Sequence, residues 1–176
     1  AEMFMVHIPV AGFFRSDDVT VAQVALALER VPEKSRHQRR ALSCGGVNVF
    51  NGETSTIFLD FKLDNNKVTK YIVRLHNDVM DVLESIPTVE PDRETTRGNY
   101  WPHLPLMQQA TLPTALLEEA VQFADGVVRH RRILGAGTDP WKLWLVKYES
   151  DAADDDWSDG SWARDLRWTI VESVNL

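Results

Sequence analysis

An α+β fold built from a duplicated unit is what this sequence predicts, and three observations predict it. Stretches of alternating apolar and polar residues are interleaved with stretches whose apolar residues recur every three or four positions, the periods of strand and helix. Asn51-Gly52 separates two runs rich in β-formers, a strong hairpin signal. A short pattern also occurs twice, as Met5-Val6-His7-Ile8-Pro9-Val10 and as Tyr100-Trp101-Pro102-His103-Leu104-Pro105-Leu106. Its histidines lie 96 positions apart (103 − 7), about half of the 176 residues.

Taken in order, residues 3–14 alternate well enough to form a strand ending near Gly12. Ser16-Asp17-Asp18 then supplies helix N-caps, and Val21, Val24, Ala25, Leu28 and Val31 form a helical stripe that Pro32 closes. A basic patch, 34–40, leads into the two β-rich runs at 41–50 and 54–63. Asn65-Asn66 breaks the second run. Val68, Ile72, Leu75, Val79, Val82 and Leu83 mark a second helix that stops at Pro87. Residues 88–99 are polar and carry Pro91 and Gly98, which reads as a loop joining halves at roughly 1–87 and 100–176 of one two-lobed domain.

The second half opens with the His103 strand. Pro113 suits a first helical turn, and Leu116, Leu117, Ala120, Val121, Ala124 and Val127 continue a third helix. Residues 130–134 and 141–149 read as strands around Gly135-Ala136-Gly137, and 166–176 as a final strand after an acidic loop at 150–161. Strand pairs thus follow both the first and the third helix. His7 precedes the first helix much as His103 precedes the third, so a duplicated unit is the simplest reading.

Composition narrows the function. A net charge of −7 argues against binding that tracks long nucleic acid, yet permits a small nucleotide or an RNA end in a local pocket. Apolar runs fall short of the roughly 18 residues of a membrane helix. The lone Cys44 forms no internal disulfide and reads as a buried residue, and Glu2 with no basic residue before an apolar run gives no secretory signal, so a cytoplasmic protein is expected. There is no phosphate-binding glycine loop, no dinucleotide turn and no zinc-ligand cysteine set, so no cofactor or metal is expected.

If both repeated segments are extended, His7 and Pro9 share one face, with Val6, Ile8 and Val10 on the other. Likewise His103 and Pro105 share a face, while Leu104 and Leu106 point into a core. Two imidazoles with ordinary pKa values near ~6.5 can hold opposite protonation states at neutral pH, one as base and one as acid. Phe13-Phe14 and Tyr100-Trp101 flank the two segments and could stack a nucleobase, although aromatics beside strands are more often core. Trp141, Trp144 and Trp168 alternate in expected strands and read as packing residues. The other histidines, His37, His76 and His130, lack an echo and read as surface or packing residues. The arginines at 36, 39, 40, 129, 131 and 132 and the acidic run at 154–156 read as solvated charge.

These residues resemble the 2H phosphoesterase superfamily, which includes 2′-5′ RNA ligase-like proteins and cyclic phosphodiesterases. Its signature is two His-x-Thr/Ser-x motifs, one per half of a pseudo-symmetric bilobal fold. Here they would be His7-Ile8-Pro9-Val10 and His103-Leu104-Pro105-Leu106. Trp101-Pro102 before the second motif, Leu112-Pro113 opening the next helix, and the strands at 141–148 and 168–176 fit as well. The resemblance implies antiparallel sheets flanking a central cleft, helices outside, and His7 and His103 as the catalytic pair on a small phosphodiester. That substrate would be a 2′,3′-cyclic phosphate at an RNA end, a cyclic nucleotide or a 2′-5′ linkage, cleaved without a metal. Substrate-binding positions would be Pro9, Pro105, Phe13, Tyr100 and Trp101.

The sequence departs from the signature at one matched pair of positions, where Pro9 and Pro105 replace the hydroxyl residues. In the family those hydroxyls are thought to hydrogen-bond phosphate, and proline offers no donor. At roughly 1.5–3 kcal/mol each, losing two transition-state donors costs about 3–6 kcal/mol, or roughly 10²–10⁴ in rate. A nucleotide- or RNA-end-binding module of the same fold is the alternative, and a scaffold with no ligand is a third reading. A proline in a strand also predicts an edge, a bulge or a strand end.

Overall fold

The computed structural model describes residues 7–12, 14, 17–31, 42–51, 54–61, 67–89, 100–110, 112–132, 137–138, 142–149 and 166–176. Helix α1 spans Asp18–Leu28, α2 Lys67–Glu84 and α3 Thr114–His130. The strands are β1 (Leu42–Ser43), β2 (Gly46–Asn51), β3 (Thr54–Asp60), β4 (His103–Ala110), β5 (Gly137–Thr138), β6 (Lys142–Glu149) and β7 (Arg167–Asn175). All pairings are antiparallel. The strands join as β2-β3-β4, β1-β5 and β6-β7, giving an α+β architecture.

Local chemistry accounts for the helices. Asp17 caps α1, its carboxylate accepting the Thr20 N–H at 2.7 Å, and Thr20, Val24 and Leu28 recur every four residues on the buried face. Helix α2 buries Ile72, Leu75, Val79, Met80 and Leu83 and gives way at Ser85, just before Pro87. Pro113 stands at the N-cap of α3, where no backbone donor is required of it. Helix α1 lies against α2 and reaches β7, whereas α3 lies across β2.

The core gathers α2, α1, the outgoing end of β3, the incoming end of β6, and the segment around residue 10. Val24, Leu28, Leu59, Phe61, Ile72, Leu75 and Leu83 are buried at its centre, and Ile8, Val10, Ala11 and Phe14 pack against it. The two halves of the sequence share their sheets. Strand β4 pairs with β3 of the first half, and β1 pairs with β5 of the second.

Four local expectations need correction. Residues 7–12 form no strand: Pro9 has no N–H to give a ladder, and the Pro9 and Val10 carbonyls are taken by the side chains of Tyr100 and His76 instead. His130 ends α3 and Arg131-Arg132 is a turn, with Arg132 left-handed at φ 54°, so no strand starts there. Leu106 is 46% exposed, since the pairing jumps from Phe58↔Pro105 to Ile57↔Met107 and the residue between is bulged out. Trp144 and Trp168 are each 38% exposed on the outer side of β6-β7, while Leu143 and Val174 supply the inner one. Trp141 lies outside the described residues.

The expectation for a proline-bearing strand is met at Pro105. Strand β4 is an edge strand, and the register shift falls beside that proline. Cys44 is buried, as expected.

Candidate functional site

His103 is the first residue of β4 and pairs with Asp60, the last residue of β3. The ladder runs on past it, with the Phe61 N–H donating to the Pro102 carbonyl at 3.1 Å and the Gly45 N–H to the Asp60 carbonyl at 2.7 Å. A strand end fixed on both flanks gives the side chain of His103 a defined origin. Phe58, 4% exposed, touches both rings above it. Trp101 meets it edge-on at 5.6 Å between centroids, and His103 meets it tilted at 5.2 Å. The Trp101 indole N–H donates to Asp60 Oδ1 at 2.8 Å, tying the aromatic to the strand opposite.

The orientation of the His103 ring settles its tautomer. Nδ1 lies 2.6 Å from the Trp101 carbonyl oxygen, which can only accept, so Nδ1 carries the proton and donates. In the neutral ring the lone pair therefore sits on Nε2, which makes no hydrogen bond among the described residues. That is the form a general base needs, and protonation turns the same atom into a donor.

The first motif segment is held differently. His7 and Pro9 are half-buried, while Ile8 and Val10 pack on the core as the alternation predicts. Tyr100, three residues before His103, donates its hydroxyl to the Pro9 carbonyl at 2.8 Å. His76 Nδ1 lies 2.6 Å from the Val10 carbonyl and donates to it by the same argument. The His76 and Tyr100 rings stack at 4.1 Å, only 5° from parallel. Burial pushes the Tyr100 phenol well above the ordinary tyrosine range. The two motif segments are therefore joined through Tyr100. No family model matches the chain, and neither a curated protein nor a solved structure is significantly similar to it.

Of the expected substrate-binding residues, Trp101 is 37% exposed beside His103, and Pro105 is half-buried opposite Phe58. Tyr100 is turned inward as a structural donor, and Phe13 lies outside the described residues. The buried Cys44 thiol donates weakly to the Gly46 carbonyl, and its pKa is pushed up, chiefly by burial and further by the nearby Asp60 charge. It is a poor nucleophile. Among the described residues no group of three or more His, Cys, Asp or Glu could hold a metal, and no helix is long and apolar enough to cross a membrane.

Sequence reasoning missed Asp60, Phe58 and the role of His76. His76 had a readable signal. It falls one residue after Leu75 and three before Val79, inside the apolar stripe of α2, where a polar ring must find a partner. His130 is exposed, and His37 lies outside the described residues.

Proposed function

We propose that this protein is a metal-independent phosphodiesterase of the 2H type, acting in the cytoplasm on a small phosphodiester. Its substrate is a 2′,3′-cyclic phosphate at an RNA end, a cyclic nucleotide or a 2′-5′ linkage, held in a cleft between two pseudo-symmetric lobes. His7 and His103 act as the acid–base pair. The observation that carries this reading is the His103 ring, whose Nδ1–H is spent on the Trp101 carbonyl and whose Nε2 is left to accept a proton. Support also comes from Tyr100, which links the second motif to the carbonyl of Pro9 in the first. Exposed Trp101 offers a base-stacking surface beside that imidazole.

Incubation with a panel of 2′,3′-cyclic and 3′,5′-cyclic nucleotides and 2′-5′-linked dinucleotides, with and without chelator, tests the proposal. Chelator-resistant turnover that falls by about 10²–10⁴ in His7→Ala and in His103→Ala is expected. Undiminished turnover in His103→Ala refutes it.

A second reading rests on the prolines. Pro9 has its carbonyl committed to Tyr100 and Pro105 sits beside a bulge, and neither side chain can donate to phosphate. On that reading the protein binds nucleotides or RNA ends without cleaving them. Saturable nucleotide binding with no turnover across the panel selects it.

A further inference from the structure

The segment carrying His7 belongs to no strand, so no sheet ladder fixes the backbone from which that imidazole projects. Two side chains from distant parts of the chain take over the task. His76 comes from the buried face of α2 with 0% exposure, and Tyr100 from the lead-in to β4. They grip consecutive carbonyls, Val10 at 2.6 Å and Pro9 at 2.8 Å, through a ring N–H and a phenol O–H. Their rings stack face to face at 4.1 Å, so neither donor can swing without displacing the other.

We propose that His76 and Tyr100 are positioning residues, a two-ring clamp that sets where His7 stands relative to His103. Each part of the clamp has a reason to be the residue it is. A carbonyl packed against an apolar core needs a donor, and the segment around Pro9 belongs to no strand whose ladder would supply one. Tyr100 stands three residues before His103 in the same chain segment, so the group that holds the first motif is covalently tied to the second. His76 fixes the far side of that link to the most buried helix of the fold. Any movement of the first motif against β4 must break the Tyr100 hydrogen bond or unstack the rings. The catalytic consequence of the clamp rests on the phosphodiesterase reading; the placement of His7 does not.

Two variants of the full chain, Tyr100→Phe and His76→Asn, separate positioning from simple stabilisation. Tyr100→Phe keeps the stacked ring and removes only the hydroxyl, and His76→Asn keeps a donor near the Nδ1 position while losing the stack. In ¹⁵N-labelled protein the side-chain nitrogen resonances of His7 are expected to shift or broaden in Tyr100→Phe, with those of distant His130 unmoved. In the same variant kcat falls about tenfold with KM within about twofold, which is about 1.4 kcal/mol of transition-state stabilisation. His76→Asn retains more activity than His76→Ala. His7 resonances that coincide with wild type in Tyr100→Phe overturn the clamp. The unsubstituted protein gives an independent check, since the His76 Nδ1 proton must exchange slowly and show coupling across the hydrogen bond to the Val10 carbonyl carbon. Loss of both features also overturns it. Wild-type protein inert on every phosphodiester defeats the phosphodiesterase reading alone, and the His7 resonances still decide the clamp.

Discussion

Raising the pH tests the buried phenol of Tyr100 directly. Burial holds its pKa well above the ordinary value near ~10, because the phenolate would sit out of water beside the Pro9 carbonyl. The folded protein therefore keeps this proton at pH values where the unfolded chain has released it. A group whose folded pKa is raised contributes its full stability below the unfolded pKa and loses it as pH rises. The loss begins near pH ~10 and proceeds at about 1.4 kcal/mol per pH unit for one proton. Between pH 9 and pH 11.5 the effect amounts to about 2 kcal/mol.

The reference is Tyr100→Phe, which retains the stacked ring on His76 and every other titrating group. At pH 9 the wild type is expected to be more stable by about 1 kcal/mol, the ordinary worth of a neutral hydrogen bond. That advantage shrinks above pH 10 and changes sign before pH 11.5. Urea denaturation followed by tryptophan fluorescence at half-unit pH steps gives both curves. Tyr148, whose pKa is also raised by burial, contributes equally to the two proteins and cancels. Parallel curves across this window would show that the phenol titrates normally, and the inward placement of Tyr100 would be wrong.

Three further outcomes follow from the same geometry. Phe58→Ala removes the buried ring beneath Trp101 and His103 and should cost about 3–5 kcal/mol in urea denaturation, with a blue or red shift of the Trp101 emission. Asp17→Ala should lower the melting temperature at pH 7. Its carboxylate is held below the usual range by the Thr20 N–H, so the wild-type advantage is present above pH ~4 and disappears as pH falls further, which a pH series of thermal melts reads directly. On the phosphodiesterase reading, Pro105→Thr supplies the hydroxyl that the second motif lacks. Single-turnover hydrolysis should quicken by roughly 10–100-fold if one phosphate donor of about 1.5–3 kcal/mol is regained.

Legibility in the sequence tracked how local the deciding interaction is. Helix α2 was readable because its stripe from Ile72 to Leu83 is set by residues three and four apart, and the β2-β3 hairpin because two β-rich runs stand next to each other with only a turn-forming dipeptide between them. Even the irregularity in β4 could be foreseen from Pro105. Where long-range contacts decide, periodicity misled. Residues 7–12 alternate like a strand, yet the Pro9 and Val10 carbonyls go to Tyr100 and His76, more than sixty positions away. Val128 is buried and Arg129 pairs with Asp125 one turn back at 2.6 Å, so α3 runs on through the β-like residues near 130. The candidate site was half readable. The histidines and Trp101 stood out by their repeat, whereas Asp60 and Phe58 gained meaning only when β3 paired with β4.

On the phosphodiesterase reading, prolines at the positions of the motif hydroxyls change where the polar work of the site is done. Three side-chain donors around the two motifs end on backbone carbonyls: His103 on Trp101, Tyr100 on Pro9 and His76 on Val10. Carbonyls orient donors well but offer an anion nothing. The Trp101 indole N–H, a donor beside His103, is already committed to Asp60. A bound phosphodiester that takes a hydrogen bond from the His103 imidazole favours the protonated ring. On the phosphodiesterase reading, substrate binding and base catalysis therefore compete for the same proton on Nε2 of His103. Pro105→Thr should then lower KM as well as quicken turnover, because a hydroxyl that takes over the phosphate contact frees Nε2 of His103 to act as base.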